Sequence, residues 1–259
     1  MTKAIEFRNI TKAYGDKVVL DNISLSIDQG EFVTIIGRSG CGKTTALKMV
    51  NGLIHPDSGE ILVDGENIQI KDQIQLRRNI GYAIQGSVLF PHMTVEQNIA
   101  YVPSLTNRRD KQKIRDAVSK WMEIVGLSDD LRNRYPSELS GGQQQRVGIA
   151  RALAASPKIL LMDEPFGAVD EITREQLQKE LKRIHQQTGV TILFVTHDIS
   201  EALLLGTKVL VMNDGQIEQF ASPEELLHHP ATPFVEELIR KESRIAQLVK
   251  DQSPSSDKQ

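Results

Sequence analysis

The chain is short of cysteine, of net charge and of long apolar runs, and each shortage closes a class of protein. A single cysteine, Cys41, excludes an internal disulfide and any metal site built on several thiolates. No stretch approaches the ~20 consecutive apolar residues of a membrane-spanning helix. Any membrane part is therefore expected on another chain. The opening residues Met1-Thr-Lys-Ala-Ile-Glu6 lack the apolar core of a secretory signal, so residence in the cytoplasm is expected. The 31 Lys and Arg nearly balance 34 Asp and Glu. That withholds the basic surplus on which non-specific nucleic-acid binding depends, and no nucleic-acid partner is expected. No internal repeat is visible.

What is present suffices for one large α/β domain with an inserted or appended subdomain: 259 residues can bury a proper core. Residues 5–10 and 18–27 read as strands. Phe32-Val-Thr-Ile-Ile36 is wholly apolar and ends at Gly37, the pattern of a parallel strand buried on both faces. A helix is predicted over 43–50, stopped near Gly52, and a further apolar strand over 80–84. The pattern then turns helical over 95–101, 110–125 and after Ser140, punctuated by Pro91, Pro103 and Pro136. Strands return at 159–162, 191–196 and 209–212, and short helices at 223–229 and 232–248. The order α/β, all-α, α/β predicts a discontinuous domain over 1–240 with a helical insertion at about 91–153. Residues 241–259 would hold a helix end and a polar tail expected to be disordered.

Two glycine-bearing segments stand roughly a hundred residues apart. Gly37, Arg38, Ser39, Gly40, Cys41, Gly42, Lys43 and Thr44 fit the phosphate-loop pattern and follow a buried strand. In that pattern the backbone N–H groups crowd round polyphosphate, Lys43 reaches the β- and γ-phosphates, and the Thr44 hydroxyl takes Mg²⁺. Thr45 extends the helix start, whose dipole adds to anion binding. Cys41 lies close to the lysine and this helix start, both of which favour a thiolate; an inert small residue is the other reading. The second segment is Leu139-Ser-Gly-Gly-Gln143. Ser140 suits a helix N-cap, and Gly141 and Gly142 leave the backbone free to approach phosphate.

Three further strand ends carry polar groups. Ile159-Leu-Leu-Met162 is followed by Asp163 and Glu164, which beside a phosphate loop reads as a metal-holding acid and its neighbour. His197 follows Ile192-Leu-Phe-Val-Thr196, at the C-terminal edge where open sheets collect ligands. The other five histidines, His55, His92, His185, His228 and His229, read as surface residues.

Together these motifs resemble the ATP-binding cassette (ABC) family. The resemblance runs from Ile5 to Ile239, with the family's nucleotide motifs in their usual order. It implies a P-loop ATPase fold with an N-terminal antiparallel β-subdomain and an inserted helical subdomain. It also implies a homodimer, with two ATP–Mg²⁺ between the phosphate loop of one copy and Ser140–Gln143 plus Asp170 of the other. Glu164 would polarise the attacking water and His197 would contact the γ-phosphate. Gln85 would contact Mg²⁺ and that water, and Asp163 would hold the metal. Tyr14 matches the aromatic that stacks on adenine; stacking reads no base edge, so GTP remains open. Val169 stands where the family usually has Leu. Leu89-Phe-Pro-His-Met-Thr-Val95 looks like the segment that meets a transmembrane partner.

A narrower likeness is carried by Leu47-Lys-Met-Val-Asn51, Tyr101-Val-Pro-Ser-Leu105, Asp163-Glu-Pro-Phe-Gly-Ala168, Ile172-Thr-Arg-Glu-Gln-Leu177 and His229-Pro-Ala-Thr-Pro-Phe234. These look like ATPase subunits of quaternary-amine importers, which take up glycine betaine, choline and carnitine. Such a subunit would sit on the cytoplasmic face of the membrane under permease subunits, served indirectly by an extracytoplasmic solute-binding protein. Many members carry paired CBS domains after the ATPase; the expectation is that this chain lacks them. Two rivals remain at this point: a soluble family member acting in translation or DNA maintenance, and the ATPase of an exporter.

Overall fold

The structure is a computed structural model and describes residues 2–83, 89–106, 110–167 and 170–240. Strands β1 (Lys3–Tyr14) and β2 (Lys17–Asp28) form a hairpin closed by Gly15 and Asp16, with Tyr14 paired to Lys17. Gly15, at φ +58°, supplies the left-handed step such a two-residue loop needs. With β4 (Ser58–Val63) and β5 (Glu66–Asn67) they make a four-stranded antiparallel sheet in the order β2-β1-β4-β5.

The second sheet has β3 (Phe32–Gly37) near its middle, with β6 (Ile80–Ala83), β7 (Ile159–Asp163), β8 (Thr191–Val195), β9 (Lys208–Asn213) and β10 (Gln216–Ala221). Its order is β10-β9-β3-β8-β7-β6, parallel throughout except for β10. β7 and β8 are buried at every position, which is why they read as unbroken apolar runs.

The helices are α1 (Lys43–Val50), α2 (Gln73–Arg78), α3 (Val95–Thr106), α4 (Lys111–Ile124), α5 (Gly141–Leu153), α6 (Glu171–Thr188), α7 (Ile199–Leu205) and α8 (Pro223–His228). Residues 233–240 are also helical. The predicted helix over 232–248 continues beyond them into residues outside the described ones. Three apolar clusters bury the elements. One fills the space between the two sheets around α1, one joins α3, α4, α5 and α6 to the parallel sheet, and a small one holds α8 and 233–240 against Ile36, Val209 and Val211.

Two expectations change. Helix α3 does not stop near Tyr101 but runs through Pro103 to Thr106. The ring removes one backbone donor, yet Val95 and Ile99 are fully buried against α5 and α4, and that packing outweighs the loss. The sequence reading also missed β4, β5, β10, α2, α6 and α7.

The arrangement matters for function because β3, β7 and β8 are neighbours. Their C-terminal ends open on one edge of the sheet, and each carries a polar group there.

Candidate nucleotide site

The phosphate loop is shaped by glycines whose side chains would not fit. Gly37 ends β3 at φ +149°, and a Cβ there would lie 2.0 Å from the Met212 carbonyl oxygen. Gly42 caps α1 at φ +104°, where a Cβ would lie 2.5 Å from Leu20 Cδ2. Lys43 is buried and curls back over the loop: its Nζ donates to the carbonyls of Gly37 (2.8 Å) and Arg38 (3.0 Å). The Thr44 hydroxyl donates to Asp163 Oδ1 at 2.9 Å.

A cleft of about 450 Å³ opens beside the loop, lined by Tyr14, Lys17, Val19, Ser39, Gly40, Gly42, Lys43, Thr44, Thr45 and Glu164. Tyr14 is 50% exposed at the edge of the cleft, an aromatic of the kind a planar base stacks on, with the Lys12 ammonium 5.6 Å from its ring centroid. Lys17 and Val19 escaped the sequence reading. They sit in β2, and only the hairpin brings the Lys17 ammonium to within 4.0 Å of where a Gly40 Cβ would stand.

Gly37, Arg38 and Cys41 do not line this cleft. The Arg38 guanidinium instead lies over the Phe234 ring, 5.1 Å from its centroid. Cys41 is 4% exposed and belongs to the core between the sheets. Burial pushes its thiol above the usual range, and the pull of Lys43, with Nζ 4.0 Å from Sγ, does not offset it. Of the two readings of Cys41, a favoured thiolate and an inert small residue, burial supports the second: desolvation of the charge outweighs the pull of Lys43.

β7 delivers the two acids. Asp163 is buried, and burial raises its carboxyl above the usual range, with the Thr44 hydrogen bond opposing. Glu164 follows in a left-handed conformation, φ +45°, which costs a non-glycine residue of order 1 kcal/mol or more. Its amide donates to the Val195 carbonyl at 3.0 Å, holding β7 to the end of β8. Its Oε2 lies 3.5 Å from Nδ1 of His197, whose side chain is 68% exposed. Thus phosphate loop, acids and histidine converge from three adjacent strands. Gln85 lies outside the described residues, as does Val169.

The second glycine segment does not join them. Ser140 caps α5: its Oγ accepts the Gln143 amide at 3.2 Å while Gln143 Oε1 accepts the Ser140 amide at 2.9 Å. Ser140, Gly142 and Gln143 border a different cavity of about 310 Å³, with Gly126, Arg146 and Thr173 among its other walls. Asp170 caps α6, accepting the Thr173 amide (3.0 Å) and hydroxyl (2.7 Å), and these bonds hold its carboxyl below the usual range. A Gly142 Cβ would come within 2.5 Å of Thr173, so the two caps form one surface. Within one chain that surface and the phosphate cleft are separate.

One surface reading is corrected. His185 is half-buried, its ring edge-on to Phe32 and its Nε2 2.9 Å from the Gly30 carbonyl oxygen. In the segment 89–95, Leu89 and Val95 are core residues, and Phe90 packs on Tyr101 with Asn98 binding its backbone. Pro91 and His92 are exposed and Phe90, Met93 and Thr94 half-buried, so the segment keeps an outer surface beside its buried ends. Among the described residues no helix is long and apolar enough to cross a membrane.

The sequence model of the ABC transporter family matches residues 20–167. The chain belongs to the ABC transporter family. This ABC family member is 47% identical over 251 residues to the choline transport ATP-binding protein OpuBA of Bacillus subtilis, 96% of this chain and 65% of OpuBA. It is 48% identical over 235 residues to the glycine betaine uptake system ATP-binding protein YehX of Escherichia coli, 91% of this chain and 76% of YehX. The chain thus spans slightly under two thirds of OpuBA. Among solved structures, the dimeric post-hydrolysis state of the ATP-binding cassette MJ0796 bound to ADP and Pi matches with a TM-score of 0.76 at 35% identity. That match covers 85% of this chain and 98% of the other. Both the α/β cassette with its antiparallel N-terminal sheet and the family expected from the motifs are therefore correct.

Proposed function

We propose that the chain is the ATP-hydrolysing subunit of an importer for quaternary ammonium compatible solutes of the glycine betaine, choline or carnitine type. The observation that carries the ATPase reading is the meeting of Thr44 and Asp163 at the phosphate loop, with Glu164 and His197 beside them. The solute class is supported by the relatives named for choline and glycine betaine.

ATP would lie along the cleft with its base on Tyr14 and its phosphates over residues 37–45. For that, Lys43 exchanges its bonds to the loop carbonyls for bonds to phosphate oxygens. Thr44 and Asp163 fit a magnesium ion: a hydroxyl and a carboxylate oxygen already in contact are the hard donors that Mg²⁺ takes, with water and phosphate filling the remaining positions. The ion would neutralise charge on the β- and γ-oxygens. Gln85 is assigned to the metal and the attacking water. Glu164 orients and polarises that water for in-line attack on the γ-phosphorus, and His197 binds a γ-phosphate oxygen.

One copy holds phosphate loop and signature segment on separate surfaces, which supports a homodimer with Ser140, Gly141, Gly142, Gln143 and Asp170 closing over the partner's ATP. Closure would pull on transmembrane permease subunits, and an extracytoplasmic solute-binding protein would deliver the solute. In this reading the chain works at the cytoplasmic face of the membrane. The working unit is residues 1–240, with the helical insertion at about 91–153 and residues 241–259 following it.

Mixing two defective chains tests the dimeric ATPase. Lys43→Ala removes phosphate binding and Ser140→Arg obstructs the lid, so a mixed dimer keeps one intact composite site. Phosphate release above that of either variant alone is expected; none above them overturns the composite site. Glycine betaine uptake by vesicles holding the chain with its permease separates the importer from the exporter and soluble alternatives.

A further inference from the structure

His197 stands on the short turn between β8 and α7, and with its ring exposed its direction is set by the backbone on either side. Asp198 is tied to α6 directly and Thr196 by way of Glu201 on α7. Thr196 is buried; its hydroxyl accepts the Asp198 amide at 3.0 Å and donates to the Glu201 carboxyl. Glu201, only 5% exposed, takes a second hydrogen bond at 2.9 Å from Gln178 Nε2 on α6. On the other flank, the Asp198 carboxylate lies 3.7 Å from Nη1 of Arg174, also on α6. Asp198 closes the ring by accepting the Glu201 amide at 3.0 Å.

Arg174 and Gln178 are four residues apart and so share one face of α6. A narrow cavity of about 10 Å³ is bounded by Glu164, Arg174, His197 and Glu201 among others, which puts this ring of contacts directly behind the acid–histidine pair. A buried carboxyl is an expensive way to join two helices that apolar side chains could join instead.

We propose that Glu201, Gln178 and Arg174 are positioning residues: together they clamp the His197 turn to α6, setting the ring against Glu164. They also pass a displacement of the α6 N-terminus to that ring. The inference rests on the reading of the chain as a dimeric ATPase. Asp170 caps α6, so whatever seats against Asp170 shifts Arg174 and Gln178 with the helix. Docking of a second copy would then set the histidine of the first, and turnover would be tied to closure.

The test uses the full chain carrying Arg174→Met, Gln178→Leu or Glu201→Gln, beside wild type and His197→Ala. Steady-state hydrolysis, thermal melting and histidine ¹³Cε1 NMR are measured, the His197 signal being assigned by its loss in His197→Ala. Arg174→Met and Gln178→Leu should lower kcat about tenfold or more and leave KM for ATP within about threefold, since a misplacement near 1 Å costs up to about a hundredfold. Both should move the His197 signal, while Glu201→Gln, which keeps a hydrogen-bonding head of the same shape, should lose less. A kcat within about twofold of wild type in both, or lost turnover with the His197 signal unmoved, overturns the clamp. If the first two variants do not fold, Glu201→Asp shortens the reach by one methylene and carries the same readouts. A wild-type chain that hydrolyses no ATP would sink the ATPase reading instead, and the NMR shift would still decide the clamp.

Discussion

The Thr44 hydroxyl donates to a carboxylate oxygen of Asp163 at 2.9 Å across a sequence separation of 119 residues. Among the described residues no group of three His, Cys, Asp or Glu gathers to hold a metal. In the proposed site a divalent ion at this pair would draw its remaining ligands from Gln85, water and the nucleotide's phosphates. Thr44→Val and Asp163→Asn should each weaken Mg²⁺–ATP binding by roughly tenfold or more, while binding of ATP in excess EDTA changes little. Calorimetric titration with and without the metal separates the two; equal losses in both would remove the pair from metal binding.

Glu164 and His197 face each other at 3.5 Å, with Glu164 in a left-handed backbone conformation at φ +45°. Glu164→Gln should bind ATP, collect as an ATP-bound dimer on size-exclusion chromatography, and turn over at least about a hundredfold more slowly. Hydrolysis near the wild-type rate would take Glu164 out of the mechanism.

Two glycines should fail in opposite ways. Gly42 combines φ +104° with a Cβ position 2.7 Å from the Val19 carbonyl oxygen, so Gly42→Ala should destabilise the chain by roughly 2–5 kcal/mol. Gly141 has open space around its Cβ position. Gly141→Ala should leave stability within about 1 kcal/mol of wild type, on the favourable side, yet abolish turnover, because in the proposed dimer that space takes the partner's phosphates. Urea unfolding and phosphate release, measured together, check both; an active Gly141→Ala chain contradicts the lid assignment.

Glu201 gives a pH dependence of known sign. Burial is the largest cause of its raised carboxyl pKa, the nearby charge of Asp198 adds to it, and the hydrogen bonds from Thr196 and Gln178 and the charge of Arg174 oppose it. Folding thus shifts Glu201 toward its protonated form relative to the unfolded chain. Stability from this group is fully present below the ordinary glutamate range and is lost as pH rises through the folded value. The melting temperature of Glu201→Gln, minus that of wild type, should therefore be more positive at about pH 8 than at about pH 5. The reverse trend would mean that the ionised clamp is the stable one.

Much of the site was legible because its signals are local. Lys43, Thr44, Asp163, Glu164 and His197 each sit at or just past the end of an apolar run, and covalent spacing alone keeps a loop attached to its strand. Helix α6 was missed because its buried positions, Leu177, Gln178, Leu181 and Ile184, are diluted among charges and include a polar residue. Strand β4 was missed because Gly59, at φ +84°, interrupts its start.

By itself the sequence determined the strand–loop–helix unit, the identity of the polar groups at three strand ends and the capping of α5 by Ser140. These depend on residue type and on separations of a few residues. Only the tertiary structure decided which strand ends are neighbours, that Lys17 enters the cleft, that the Cys41 sulfur faces the core and Arg38 lies over Phe234. It alone decided that Ser140 lies away from its own phosphate loop and that Arg174 and Gln178 of α6 meet Asp198 and Glu201 beside His197. Those relations come from sheet order, register and burial, which arise when surfaces far apart in the chain exclude water together, and no local pattern encodes them.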